Sequence, residues 1–234
     1  MDSLLPFFNA HVVFDEYHEY IGMEIFNLLF AELIANKNMR CKNDKRTLLV
    51  SATPHYSYLA DILDIENRDV IEMPSFNMSQ YRIQFVKYDE KDPLNNPFCQ
   101  NYANKTFVIS NTAKTAQLSY LFQKEAEDSL LFHSKYKRSD KKYLFSEVYE
   151  SFKQDGVQKY EVLRAGPIVQ ASLNISCNHM LSEMSTPENI LQRLGRLDRF
   201  GNNSEINVLR VAITDDIMRG KQTGASAKFL ASLN

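Results

Sequence analysis

The sequence predicts an α/β fold of parallel sheets flanked by helices, on three observations. Short apolar runs of strand length alternate with segments whose apolar residues recur at three and four. The runs end abruptly in polar or charged residues, as in HVVFDEYHEY (11–20) and LLVSATPH (48–55). One stretch rich in proline and asparagine, KDPLNNPF (91–98), interrupts the series and reads as a linker. Strands alternating with helices of this length imply parallel pairing, and in such sheets functional groups collect past the carboxyl ends of the strands.

The elements follow in order. Residues 11–15 form a short apolar strand. Over 19–37, Ile21, Ile25, Leu28, Leu29 and Leu33 recur at helical spacing. CKNDKR (41–46) is a charged loop, TLLV (47–50) a buried strand, 56–64 a short helix and 69–72 a short strand. YRIQFVKY (81–88) alternates as a half-buried strand. After the linker come a strand in KTFVIS (105–110) and a helix over 112–126 capped by Asn111 or Thr112. A strand in SLLFH (129–133), a helix over 138–153 and a strand over 160–165 continue the series. A helix over 187–197, with Pro187 in its first turn, leads to a strand over 205–213. The predicted division is a first domain over 1–90, a linker over 91–98, a second domain over 99–219 and a tail over 220–234.

Of 234 residues, 44% are hydrophobic and 24% charged, an ordinary globular balance. The net charge of −2 gives no global basic field, so any nucleic-acid contact must be a local patch. Cys41, Cys99 and Cys177 are scattered and odd in number, which argues against a disulfide framework or a cysteine zinc site and for a reducing cytoplasm. No apolar run reaches about 18 residues, so no membrane partner is expected, and MDSLLPFFNA does not read as a signal peptide.

Val12, Val13 and Phe14 run straight into Asp15 and Glu16, with His18 close behind. Adjacent carboxylates are costly to crowd together unless a cation or hydrogen-bond donors neutralise them. Nucleotide-bound Mg²⁺ is such a cation, and phosphoryl-transfer sites hold it with an acidic residue after an apolar strand. On that reading Asp15 binds the metal through water, because Mg²⁺ dehydrates reluctantly. Glu16 polarises the attacking water, and His18 couples this strand end to the next. The alternative is a solvated turn in which Asp15 caps the helix over 19–37. Ser51 and Thr53 repeat the design after strand 47–50, although SAT (51–53) also reads as a helix-capping turn. In LQRLGRLDRF (191–200), Gln192, Arg196 and Arg199 fall at i, i+4 and i+7 on one helical face, with Arg193 one residue off it. Two arginines on one face make a fork suited to phosphate oxygens; a solvated basic helix is the alternative. Gly195 within a helix costs about 1 kcal/mol relative to alanine, so a close approach is expected there.

DEYH (15–18), SAT (51–53) and QRLGRLDR (192–199), in this order, resemble motifs II, III and VI of a superfamily 2 helicase. VLRAGPIVQASLNIS (162–176) before STPENILQRLGRLDRFG (185–201) is similar to motifs V and VI of the CRISPR-associated helicase-nuclease of type I systems, with the type I-F form the best match. The resemblance covers residues from about 10 to about 215. It implies a partial first RecA-like domain and a second RecA-like domain, with ATP in the cleft between them and single-stranded DNA across their top. ATP and Mg²⁺ are the implied cofactors. The implied catalytic residues are Asp15 (also the metal residue), Glu16, His18, Gln192, Arg196 and Arg199. Ser51, Ala52 and Thr53 would link hydrolysis to movement. Implied nucleic-acid contacts are Asn111, Thr112 and Lys114 in ISNTAKTAQ (109–117), Ser134 and Lys135 in the basic run FHSKYKRSDKK (132–142), and Gln170 and Ser172 in motif V. Asn111 and Thr112 at a helix N-terminus suit a phosphate, and also read as a simple N-cap. The basic run is either a solvated face or, with His133 and Tyr136 interleaved, a base-stacking surface. Many relatives carry an aspartate where this chain has Asn174, which removes a negative charge near the nucleotide.

The family's phosphate-cradling loop G-x-x-x-x-G-K-[ST] fits none of the seven glycines, and no His-Asp dipeptide of an HD nuclease occurs. The expectation is an internal piece, covering motifs II to VI, of an ATP-dependent single-stranded DNA translocase of CRISPR antiviral defence. Its implied partner is the CRISPR RNA-guided surveillance complex. Alone it is expected not to hydrolyse ATP, because that loop supplies most of the nucleotide affinity. Its first sheet is expected to expose an apolar face. A hydrolysis-deficient DNA- or protein-binding RecA-like module, and part of another DExH helicase, stay open as alternatives.

Overall fold

The computed structural model describes residues 10–21, 23–39, 45–75, 77–122, 128–170 and 173–215. They form two compact units that divide between Pro74 and Ser75. In the first, β1 (Val12–Phe14) and β2 (Thr47–Leu49) pair in parallel, Val12 opposite Thr47 and Phe14 opposite Leu49. A parallel pair needs a crossover, which α1 (Glu24–Met39) supplies. The helix starts at Glu24 rather than at 19 because Tyr17–Tyr20 first form a 3-10 turn. The core of this unit is aromatic. Tyr17, Phe30 and Tyr58 are buried with Leu59 and Leu63, and Phe14, Tyr20 and Phe26 pack against them. Phe14 meets Phe30 edge to face at 4.7 Å and Tyr20 stacks on Phe26 at 4.8 Å; such pairs add about 0.5–1.5 kcal/mol each beyond their buried area. Residues 56–64 contain a π-helical turn, Tyr58–Ile62. The strand expected over 69–72 does not form, since Asn67–Asp69 close a 3-10 turn there. Val13 and Leu48, neighbours in register, are exposed, so the sheet does carry an open apolar face.

The second unit is a six-stranded, all-parallel sheet in the order β3-β8-β7-β4-β6-β5. Its elements are β3 (Tyr81–Tyr88), β4 (Thr106–Ile109), α2 (Ala113–Leu121), β5 (Ser129–Phe132), α3 (Arg138–Phe152), β6 (Val162–Ala165), β7 (His179–Glu183), α4 (Pro187–Leu194) and β8 (Asn207–Thr214). Every residue of the inner strands β4 and β6 is buried, as expected where helices cover both faces of a parallel sheet. Their side chains form the core with Leu130, Phe132, Val148, Phe152, Leu209 and Val211.

Two sequence expectations are corrected here. Strand 81–88 belongs to the second unit, not the first: it pairs with β8 along its whole length, from Tyr81↔Asn207 to Tyr88↔Thr214. The domain boundary therefore lies at 74/75 rather than beyond 90. Residues 91–98 are correspondingly no linker. Asn96 caps a 3-10 turn at Pro97–Cys99, and buried Phe98 meets Tyr88 edge to face at 5.5 Å. The carbonyls of Phe98 and Gln100 accept from the buried guanidinium of Arg164 at 2.7 and 2.6 Å. Proline and asparagine mark a packed turn in this segment. Strand β7, between β4 and β8, was not anticipated, because HMLSE lacks a clean alternation. The tail over 220–234 lies outside the described residues.

Candidate functional site

Asp15 and Glu16 leave the carboxyl end of β1, and both are exposed. Glu16 sits in the left-handed region (φ 51, ψ 44), a conformation that costs a residue with a Cβ about 1 kcal/mol or more. The ladder holds it there: Val50 N–H donates to the Phe14 carbonyl at 2.9 Å and Tyr17 N–H to the Val50 carbonyl at 3.2 Å. Asp15 Oδ1 accepts from the Glu16 N–H at 3.1 Å, which fixes the carboxylate at the strand end. The same turn drops His18 onto the end of β2, where Nδ1 lies 2.7 Å from Ser51 Oγ. Ser51 Oγ also accepts from Thr53 N–H at 3.0 Å. Glu16 and Glu19 carboxylates stand 3.4 and 3.5 Å from the His18 ring nitrogens. His18, Ser51 and Thr53, expected to couple two strand ends, are thus one hydrogen-bonded set; Ala52 between them is exposed. Beneath them Tyr17 is buried, and its hydroxyl accepts from His55 N–H at 3.1 Å. Burial raises the Tyr17 pKa, against the opposing hydrogen bond from His55.

An exposed carboxylate with hard oxygens, such as that of Asp15, suits Mg²⁺, which keeps most of its waters. No group of three or more His, Cys, Asp or Glu side chains forms a closed metal cage among the described residues.

In the second unit the carboxyl ends of β4 to β7 lie along one sheet edge. Thr112 caps α2 there, accepting from Thr115 N–H at 3.0 Å, and Lys114 is exposed beside it. Asn111 departs from expectation, because its polar groups are committed inside the protein. Its N–H donates to Glu183 Oε2 (2.7 Å), its amide N–H to the Met184 carbonyl (2.7 Å), and its Oδ1 accepts from Arg193 Nη2 (2.9 Å). It secures the start of α2 rather than offering its amide to a phosphate. Ser134 and Lys135 follow β5 and are exposed. His133 does not offer a stacking face, since it is buried against Tyr136, with the rings parallel at 4.2 Å. Burial pushes the His133 pKa down. Its Nδ1 accepts from Lys135 N–H at 3.2 Å, so Nε2 carries the proton of the neutral ring. Gln117 Nε2 lies 3.0 Å from His133 Nε2; turning the amide over would put its oxygen there, the acceptor that a protonated ring nitrogen needs. The side chain of Gln170 and the whole of Ser172 lie outside the described residues.

The helical-face argument for Gln192, Arg196 and Arg199 is also corrected. Helix α4 stops at Leu194 with Gly195 as C-cap, so both arginines lie beyond it. Tight turns (Arg196 N–H to Arg193 O, 2.8 Å; Leu197 N–H to Leu194 O, 2.9 Å) and a parallel bridge between Cys177 and Leu197 hold them instead. Gln192 remains on the helix, half-buried. Arg196 is largely buried, whereas Arg199 is half-exposed. A Cβ on Gly195 would meet only ordinary contacts at 3.5 and 3.6 Å, so nothing within the chain demands glycine there.

Three residues outside the sequence-derived set organise this edge. Arg193 is buried and donates to Ser182 Oγ and the Glu183 carbonyl, both at 2.8 Å, as well as to Asn111. Burial lowers its pKa to about 10. Burial raises that of Glu183, against the Asn111 N–H and the Arg193 charge. Asp198, between the two arginines and at φ 46, is a hub. Its carboxylate accepts from Ser79 Oγ (2.5 Å), Asn202 N–H (2.8 Å) and Asn207 Nδ2 (3.1 Å). Its carbonyl accepts from Asn77 at 2.8 Å. Burial raises the Asp198 pKa, but these donors outweigh it and hold the value below the ordinary one. Burial of Arg193 had one sequence signal, its displacement from the polar face; Asp198 had none.

With that geometry in place, residues 102–202 match the family model described as the C-terminal region of the CRISPR-associated nuclease/helicase Cas3. A putative CRISPR-associated nuclease/helicase Cas3 of Methanocaldococcus jannaschii is 25% identical over 209 residues, covering 83% of this chain and 28% of the relative. T. fusca Cas3-ATP superposes with a TM-score of 0.68 at 19% identity, over 88% of this chain and 30% of that one. A chain of the pre-nicking CRISPR RNA-guided surveillance complex does so with a TM-score of 0.65 at 17% identity, over 87% and 31%. The structures establish the RecA-like fold, and this chain spans under a third of the length of its curated relative. Family model and curated relative agree: the chain is similar to the CRISPR-associated nuclease/helicase Cas3, and residues 102–202 to its C-terminal region.

Proposed function

We propose that this chain carries motifs II to VI of an ATP-driven single-stranded DNA translocase that unwinds target DNA in CRISPR antiviral defence in the cytoplasm. The hydrogen bond of 2.7 Å between His18 and Ser51 carries the reading most directly. It joins segments 33 residues apart, at the two strand ends where motor coupling is needed. In the first unit Asp15 holds Mg²⁺ through water and Glu16 orients the attacking water. His18 passes the state of that carboxylate pair to Ser51 and Thr53. In the second unit Arg196 and Arg199 take polyphosphate oxygens, and Gln192 contacts the nucleotide or the water. When bound, Mg²⁺ neutralises phosphate charge. Thr112, Lys114, Ser134 and Lys135 contact the DNA backbone from the ends of β4 and β5, together with Gln170 and Ser172. The surveillance complex, the assembly named for one structural neighbour, is the proposed partner. No helix among the described residues is long and apolar enough to cross a membrane.

The 234 residues contain no G-x-x-x-x-G-K-[ST], which favours DNA binding without turnover by this chain alone. The test pairs two assays. Fluorescence anisotropy with a single-stranded oligonucleotide should show salt-dependent binding, weakened about fivefold or more in a Lys114→Glu/Lys135→Glu double variant. Equal affinities would refute the DNA surface. ATP turnover should be absent with or without DNA; DNA-stimulated turnover lost on Arg196→Ala would instead make the isolated chain a working motor.

A further inference from the structure

Arg199 is held before any ligand arrives. Its Nε donates to Asn174 Oδ1 at 2.7 Å and its Nη1 to the Gly195 carbonyl at 3.1 Å. Its main-chain N–H donates to Ser176 Oγ at 3.0 Å. The acceptors are an amide, a peptide carbonyl and a hydroxyl, all neutral. Two of the five N–H groups of the guanidinium are thereby used, and three stay available. The anchor is itself fixed: Leu173 and Ile175 are buried on either side of Asn174, which leaves Asn174 exposed. Arg193 is held in the same way but deep in the unit, where Ser182, Glu183 and Asn111 enclose its guanidinium. Of these two tethered arginines, Arg199 is the one open to solvent.

We propose that Asn174 is the positioning residue for Arg199, aiming its guanidinium at a polyphosphate without neutralising it. The inference rests on the assignment of Arg199 to nucleotide phosphate made above. A carboxylate at position 174 would accept the same Nε–H more strongly, because a charge-assisted hydrogen bond is shorter and tighter. It would also place a competing anion against the guanidinium, which an incoming phosphate would have to displace. The neutral amide separates orientation from charge. An apolar residue at 174 would keep the charge but release the aim, and the freed side chain would lose rotamer entropy each time it bound.

The test observes the arginine itself. In ¹⁵N-edited NMR of the 234-residue chain the Arg199 Nε–H, assigned by its loss in Arg199→Lys, should be protected from solvent exchange and should shift on titration with inorganic triphosphate. Asn174→Ala should collapse that protection about tenfold. Asn174→Asp should keep it, move the resonance downfield, and weaken the triphosphate Kd about fivefold, the size of a partly exposed ion pair. The main-chain amide spectra of the same samples report that both variants fold. If triphosphate leaves the wild-type Arg199 signal unmoved, the phosphate assignment fails and takes this inference with it. If the wild type responds and both variants match it in exchange and in Kd, the positioning role of Asn174 alone is refuted.

Discussion

Replacing Asp198 by alanine should unlatch the second unit at its N-terminal edge. The carboxylate gathers the hydroxyl of Ser79 at 2.5 Å, the N–H of Asn202 at 2.8 Å and the amide of Asn207 at 3.1 Å. Asn203 N–H stands 3.3 Å from both oxygens. Hydrogen bonds to a charged acceptor are worth about 1.5–3 kcal/mol each, but they do not add. Asn202 and Asn203 lie in an exposed loop and regain water, whereas Asn207 is buried and cannot. Alanine at φ 46 also loses the tolerance of left-handed backbone that aspartate has. The sum is about 3–5 kcal/mol, in the range for breaking a buried polar network. For a unit of this size that lowers Tm by about 10–15 °C. Asp198→Asn keeps the shape but turns an NH₂ toward donors, and should lose about 2 kcal/mol. Urea denaturation followed by circular dichroism measures both. The pH profile adds a second reading. The folded pKa of Asp198 is held below the usual carboxylate value. Its stabilisation is therefore complete above the unfolded pKa of about 3.9 and fades as pH falls through the folded value. The wild type should lose more stability than Asp198→Ala below about pH 4. If both variants stay within about 1 kcal/mol of wild type at neutral pH, the carboxylate is not the latch.

Arg193→Met should cost about 3–5 kcal/mol in urea denaturation, because it leaves Ser182 Oγ, the Glu183 carbonyl and Asn111 Oδ1 without their cationic donor and removes the positive charge near the Glu183 carboxylate. Arg193→Lys should recover little of this, since an ammonium cannot span three acceptors that a planar fork reaches. Gly195→Ala should leave stability within about 1 kcal/mol of wild type, given its ordinary Cβ contacts and φ of −64; a larger loss would point to a close approach that the chain alone does not contain. His133 has a folded pKa depressed by burial. Its neutral form therefore stabilises fully above the unfolded pKa of about 6.5, and that stability fades as pH falls. His133→Gln should flatten the stability profile between about pH 6.5 and 5, as read by thermal melts.

Strand periodicity reached most of this architecture because parallel core strands must be apolar along their length, as TFVI and VLRA are. The failures share a cause. The prolines and asparagines of 91–98 obey local turn rules, and those rules do not say whether a turn is exposed. Arg164, 66 residues downstream, makes the segment core by donating to the Phe98 carbonyl. Tyr81–Tyr88 reads as a strand from sequence, but only its ladder with β8 assigns it to a unit. Asn111 and Thr112 read as equivalent phosphate holders. Thr112 does cap the helix, while Asn111 is drawn inward by Arg193, 82 residues away.

The arginines sharpen this point, because local spacing placed Arg193, Arg196 and Arg199 on adjoining positions of one helix. The helix ends before two of them, and each guanidinium then answers to a different neighbour. Strand β7 and the start of α2 enclose Arg193, lowering its pKa to about 10, which suits a structural tether with no ligand to meet. The 174–176 segment holds Arg199 by neutral oxygens while it stays half-exposed, which suits a cation that must still bind an anion. What separates the two is which oxygens fold around them and whether water remains on the far side. On the proposed reading, a carboxylate beside Arg199 would gain a tighter contact and compete with the incoming anion. The arrangement in this chain favours the reverse.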